Sequence, residues 1–171
     1  LSLEKNLNRL IYVDPSRDDY LIPFNVLKSN VLTPYEIGEN IVEAFRRIWP
    51  ATLEEAPRFS QILRNGVLVL VSNNMTLLEL EPLLTQKHFR DKMLHQVKDA
   101  QVVSFFHNQF DKWGREQPHY ISPVLNKVSA ILFKPPMQRM LGAKDNFLDF
   151  RRIIDNRMVL IINLGTFKDE E

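Results

Sequence analysis

The chain has 171 residues, 44% of them apolar, with 22 basic against 21 acidic side chains and no cysteine. That length suits one domain with short appendages, and eleven phenylalanines supply material for an ordered core. The charge balance removes the strong expectation of nucleic acid that a very basic domain carries. The missing cysteines exclude a disulfide framework and thiolate chemistry, and suit a reducing cytosol. No apolar run approaches the ~20 residues needed to cross a bilayer, and no signal peptide is visible. The sequence begins on Leu1 and ends on Lys168-Asp169-Glu170-Glu171, which reads as a piece cut from something longer.

In chain order, Ile11-Tyr12-Val13 is a strand that Asp14-Pro15 breaks, followed by a charged turn and the apolar knot Ile22-Pro23-Phe24-Asn25-Val26-Leu27. Helices follow. Thr33-Pro34-Tyr35-Glu36 combines an N-cap, a Pro at the first helical position and a capping-box Glu. Ile37, Ile41, Ala44, Phe45 and Ile48 form its stripe, and Pro50 ends it. A second helix starts near Pro57, buries Phe59, Ile62, Leu63, Gly66, Val67 and Leu70, and stops at Asn73-Asn74. Thr76-Leu77-Leu78-Glu79 is another capping box, opening a short helix that Pro82 kinks or ends. Thr85 is expected to cap the next helix, striped by Phe89, Met93 and Val97. Asp99 caps a fifth, with Val102, Val103, Phe106, Phe110 and Trp113 on its apolar face.

A sixth helix spans Pro118 to Lys134, turning Val124, Leu125, Val128, Ile131 and Leu132 inward, with Pro123 near its start. Pro135-Pro136 stops it and begins a short one ending at Gly142. Asp149 caps a single turn through Ile154, and Asp155-Asn156 turns the chain into Met158-Val159-Leu160-Ile161-Ile162. That run has no polar face, the pattern of a parallel strand covered on both sides. The order is strand, some seven helices, strand.

The stretches "IYVDPSRDDYLIPFNVL", "PRFSQILRNGVLVLV", "TLLELEPLLTQKHFRDKML", "PVLNKVSAIL" and "FRRIIDNRMVLIINL" occur in that order. Together, from about Leu7 to Leu164, they resemble the middle of the coupling-protein ATPases of type IV secretion and conjugation. The resemblance implies a mainly α fold: a helical bundle-like domain flanked by two strands of a RecA-like α/β sheet. Residues 1–30 would be a motor strand and linker, 31–146 the inserted all-helical domain, and 147–171 the returning helical turn and motor strand. It implies a domain that recognises DNA or a DNA-processing or secreted protein as cargo, partnered by the rest of the motor, with a hexameric ring as the assembly to look for. It places the chain in the cytoplasm without membrane contact of its own, in a parent whose attachment to the bacterial inner membrane stays open.

ATP and magnesium belong to that parent and not to this segment. The family's phosphate-binding loop, G-x-x-x-x-G-K-[ST], is absent, and Gly38, Gly66, Gly114, Gly142 and Gly165 are all isolated. Asp169-Glu170-Glu171 does not directly follow an apolar strand, as a magnesium-organising acidic strand would. No ATP hydrolysis, cofactor or metal is therefore expected of this chain. The alternative is a free-standing helical adaptor with no motor attached.

Among single residues, Arg64, Lys127 and Arg139 are the candidate contacts to DNA or a partner. They stand among basic clusters that include Lys87-Arg90-Lys92 and Arg151-Arg152, for which solvated helix faces are the plainer reading. Asn65 and Asn126 are expected to cross-link neighbouring helices or loops. Asn163, at the carboxyl end of the last strand, lies where open α/β sheets place ligands, hence near nucleotide in an intact motor. His107 and Asp111, four apart, offer half of a metal site at most, since three or four convergent ligands are needed. His88 and His95 read as helix-surface residues. Glu54-Glu55 and Glu79-Glu81 sit at helix starts, where the helix dipole explains them.

Overall fold

Two strands from opposite ends of the chain come together. The computed structural model describes residues 9–15, 17, 19, 21–51 and 58–163. The helix start near Pro57, the Glu54-Glu55 pair and the acidic end at Asp169 to Glu171 lie outside the described residues. Strands β1 (Leu10–Val13) and β2 (Val159–Ile162) pair in parallel, with Leu10 opposite Val159 and Val13 opposite Ile162. Between them the fold is mainly helical.

Helix α1 (Pro34–Ile48) begins with the expected capping box: Thr33 accepts from the Glu36 N–H, and the Glu36 carboxylate accepts from the Thr33 N–H at 2.7 Å. Its inward face is Ile37, Gly38, Val42 and Phe45, whereas Ala44 and Ile48 point to solvent. Val42, one position past Ile41, carries the stripe instead. Helix α2 (Phe59–Ser72) is the centre of the domain. Besides the six residues expected inside, Leu68 and Val69 are buried, and a helix buried nearly all round must be enclosed by others. A Cβ on Gly66 would lie 2.6 Å from Cδ1 of Leu80, so glycine there lets the next helix approach closely.

Thr76 and Glu79 form the second capping box. The 3-10 turn Leu77–Glu79 runs directly into α3 (Leu80–Thr85). Pro82 falls in the first turn of α3, where its missing N–H is not needed, so the helix continues to Thr85. Thr85 does not cap α4 (Lys87–Leu94): its hydroxyl donates back to the Glu81 carbonyl at 2.8 Å, and Gln86 takes the cap position without a side-chain bond.

Helix α5 (Ala100–Asn108) is capped by Asp99, which accepts from the Gln101 N–H at 2.8 Å. Phe110 and Trp113 lie beyond its end, in a 3-10 segment Phe110–Glu116 where Gly114 takes a left-handed φ of 54°. The aromatic stripe is thus split between two elements. Its inner members still meet, because Phe105 joins Phe106 and Phe110 at ring separations of 5.0 and 6.1 Å. Helix α6 (Gln117–Leu132) buries Ile121, Val124 and Val128, and accommodates Pro123 within its length. Helix α7 (Pro135–Leu141) ends at Gly142, and α8 (Phe150–Asp155) is capped by Asp149, which accepts from the Arg152 N–H at 3.0 Å.

The buried side chains form two clusters. The larger unites Leu27 with helices α1 to α6, and the smaller unites Val13, Leu148 and Ile153 with Ile11, Ile22, Phe24, Met158 and Leu160 around the strands.

Candidate functional site

Side chains alternate across a strand, and parallel register puts paired residues on the same face. Ile11, Val13 and Leu160 therefore turn together into the smaller core. Leu10, Tyr12, Val159 and Ile161 turn the other way and are 39%, 46%, 55% and 45% exposed. The wholly apolar sequence of β2 calls for cover on both faces; among the described residues only one face has it. At the carboxyl end of the pair, the Asn163 N–H donates to the Val13 carbonyl at 2.8 Å, and its side-chain amide donates to the Asp14 carboxylate at 3.2 Å. Asn163 thus fastens the two strand ends together.

Two segments connect the strands to the helices, and they are clamped to each other. The Asn25 N–H donates to Oδ1 of Asn146 at 2.5 Å, and the Asn146 amide donates to the Lys28 carbonyl at 3.0 Å. Backbone bonds from Phe24 to Met140 (3.0 Å) and from Phe147 to Pro23 (2.9 Å) run alongside, with the Lys28–Asp145 ion pair at 2.5 Å. Asn25, only 2% exposed, also donates to the Met75 carbonyl and accepts from the Leu27 N–H. The adjoining cleft of about 400 Å³ is lined by Lys28, Asp145, Asn146 and Asp149, which serve this clamp or the α8 cap, together with Asn30, Phe150 and Arg151 among others.

Cross-linking thus falls to asparagines other than those expected. Asn65 donates to the Gln61 carbonyl of its own helix at 2.8 Å, and Asn126 is exposed. The sequence did hold a signal for Asn25, an amide inside the apolar knot Ile22 to Leu27, where a buried side chain of that kind needs partners.

The three basic candidates lie on three helices. Arg64, on α2, holds Glu39 of α1 through two bonds of 2.5 and 3.0 Å. That pairing, led by the hydrogen bond, keeps the Glu39 carboxyl below its usual range. Lys127, on α6, places its ammonium 5.3 Å from the centre of the Trp49 ring. Arg139, on α7, is exposed. Arg64 and Lys127 are thus already engaged within the helical body.

The charged group that sequence reasoning misplaced is Arg90. It stands in the Lys87-Arg90-Lys92 cluster, yet is 3% exposed. Its guanidinium donates to the Leu83 and Leu84 carbonyls at 3.0 and 3.3 Å, closing the end of α3, and to Asp111 at 2.5 Å. It also lies 4.8 Å from the centre of the Phe110 ring. The signal was spacing: Arg90, Met93, Leu94 and Val97 share a face that points inward.

Asp111, His107 and Asp91 bring one ligand atom each to within 4.8 Å of one another, so the half-site foreseen at His107 and Asp111 gains a third member. The Lys87 ammonium occupies the meeting point, 2.9 Å from Asp111 and 3.1 Å from both Asp91 oxygens. Burial raises the Asp111 carboxyl, but the hydrogen bonds and charges of Lys87 and Arg90 outweigh it and hold the group below its usual range. The Lys87 ammonium and the Arg90 guanidinium thus pair with the two carboxylates of this cluster.

No family model, curated protein or solved structure matches the chain. Among the described residues, what remains distinctive is a parallel strand pair with one exposed face, joined by its clamp to a helical body.

Proposed function

We propose that the chain is the helical recognition segment of a coupling-protein-like motor ATPase, which transfers DNA or protein through a type IV secretion or conjugation system. One observation carries the reading. Leu10–Val13 and Val159–Ile162 pair in parallel across almost the whole chain, as a two-stranded sheet among the described residues, with Leu10, Val159 and Ile161 exposed on its outer face. Parallel strands are normally buried on both faces, and two strands alone are not independently stable. Such a pair is what two neighbouring strands of a larger α/β sheet look like when a helical domain is inserted between them. In this reading the helices recognise cargo, the clamp at Asn25 and Asn146 sets their orientation on the motor, and the chemistry belongs to the parent.

The coding sequence on either side tests it directly: a phosphate-binding loop upstream and an acidic strand downstream are expected. A start codon and a stop codon bounding these residues would overturn it in favour of a free-standing adaptor. The chain alone is also expected to gain no melting temperature from ATP and magnesium, since a ligand of the native state stabilises by mass action. A reproducible upward shift of several degrees in a thermal-shift assay would place nucleotide chemistry in this segment and refute its assignment as recognition only.

A further inference from the structure

Three elements bring metal-ligating side chains to one point. Asp91 stands on α4, His107 in the last turn of α5, and Asp111 in the 3-10 segment that follows. Nδ1 of His107 lies 3.9 Å from Oδ2 of Asp111, and a donor atom from each residue lies within 4.8 Å of the other two. Asp111 is held from behind. Arg90, 3% exposed, donates to its Oδ1 at 2.5 Å, which leaves Oδ2 toward His107 and Lys87. Metal-binding carboxylates are commonly oriented by a hydrogen bond of this kind. A cation already sits at the meeting point: the Lys87 ammonium is 2.9 Å from Asp111 and 3.1 Å from both Asp91 oxygens. Its side chain is 62% exposed, and ion pairs at that exposure hold weakly, so Lys87 can swing into solvent.

We propose that Asp91, His107 and Asp111 form a site for a divalent transition-metal ion, with Lys87 as its competing cation. One imidazole with two carboxylates suits borderline ions such as zinc, cobalt or manganese, whereas calcium and magnesium take oxygen ligands alone. Donors bound at about 2.0–2.2 Å lie at most about 4.4 Å apart, so the cluster needs only a small inward shift. Exchanging ammonium contacts of 2.9 and 3.1 Å for shorter metal bonds draws the carboxylates in that direction. A doubly charged ion also gains more from two carboxylates than one ammonium does. An acidic surface by itself would hold such ions without selection. Here the imidazole from a second element and the buried guanidinium behind Asp111 define one position and one donor set. Three protein ligands leave the remaining positions to water, the arrangement of an open metal site. The inference stands apart from the proposed function, and neither requires the other.

The test is a titration of the tag-free 171-residue chain, stripped with EDTA, with cobalt(II), read by visible absorption and by NMR of the imidazole groups. Saturation at one ion per chain is expected, with the His107 resonances broadened before those of His88, His95 and His119. His107→Ala and Asp91→Asn should each weaken binding by about tenfold or more. Lys87→Met removes the competing cation and should tighten it by about fivefold, the weight of an exposed ion pair. His88→Ala should change nothing. The His107 and Lys87 side chains are 45% and 62% exposed, so without metal their variants are expected to melt like the wild type. No saturable binding by Lys87→Met, undiminished binding by His107→Ala, or broadening at another histidine in place of His107 would each overturn the proposal. So would magnesium competing with cobalt at equal concentration, which would mark an unselective acidic surface.

Discussion

Phe106→Ala is expected to lower stability by about 3–5 kcal/mol, the usual cost of emptying a buried phenylalanine site. Phe106 is fully buried, with Phe105 and Phe110 at 5.0 and 5.2 Å between ring centres. Those neighbours come from α5 itself and from the 3-10 segment after it, and Trp113 packs on Phe110 at 5.1 Å. A rigid aromatic cluster collapses poorly into a void, so the cost should fall at the upper end. Domains of this size hold roughly 5–15 kcal/mol in total, which leaves the variant marginal or unfolded at 37 °C. A circular-dichroism melt should show a fall on the order of 10 °C or more. A melting curve that overlays the wild type would mean that the aromatic cluster is not the core of the domain, and would recast it as a partner surface.

Asp111→Ala is expected to be nearly as damaging, because it leaves the buried Arg90 guanidinium without its carboxylate. Removing one member of a buried ion pair costs about 3–5 kcal/mol. Arg90 would keep the Leu83 and Leu84 carbonyls and the Phe110 ring but no carboxylate, and its Nε has no hydrogen-bond partner among the described residues. Asp91→Ala is the control. That carboxylate is 39% exposed and, among the described residues, forms its ion pair with Lys87, so its loss should cost about 1 kcal/mol or less.

The network also gives a pH signature. The Asp111 carboxyl is depressed in the folded state. Its contribution is therefore complete above the unfolded value of about 3.9 and is lost as pH falls through the lower folded value. Urea midpoints of wild type and Asp111→Asn should differ by a constant amount from pH 7 to about pH 5 and converge below about pH 4. A difference that persists unchanged to pH 3 would show that Asp111 acts by shape and not by charge.

The local signals that the sequence carried are those decided within a few residues. Thr33 with Glu36, Thr76 with Glu79, Asp99 and Asp149 all cap the helices expected of them. Each satisfies N–H groups within three positions of itself, so no distant partner can change the outcome. The face of α2 was equally legible, since its apolar residues leave no other side to bury. The parallel character of β2 followed from its lack of a polar face, and β1 was marked by Asp14-Pro15.

Where two answers are locally equivalent, the sequence did not choose between them. Thr85 can cap forward or bond back to Glu81, and the backbone path from α3 to α4 selects the second. An asparagine near apolar neighbours can bond its own helix, as Asn65 does, or join two segments, as Asn25 and Asn146 do across 121 positions. Arg90 reads as one more surface cation until the carboxylate of Asp111 and the open end of α3 are brought to it from outside α4. Hydrogen bonds and ion pairs between distant segments depend on which elements the core brings together, and that is set by the packing of all the helices at once. The sequence by itself therefore determined the central buried helix and the caps at Thr33, Thr76, Asp99 and Asp149. Only the tertiary structure decided which polar groups are committed to holding the body together, because those partnerships join segments far apart in the chain.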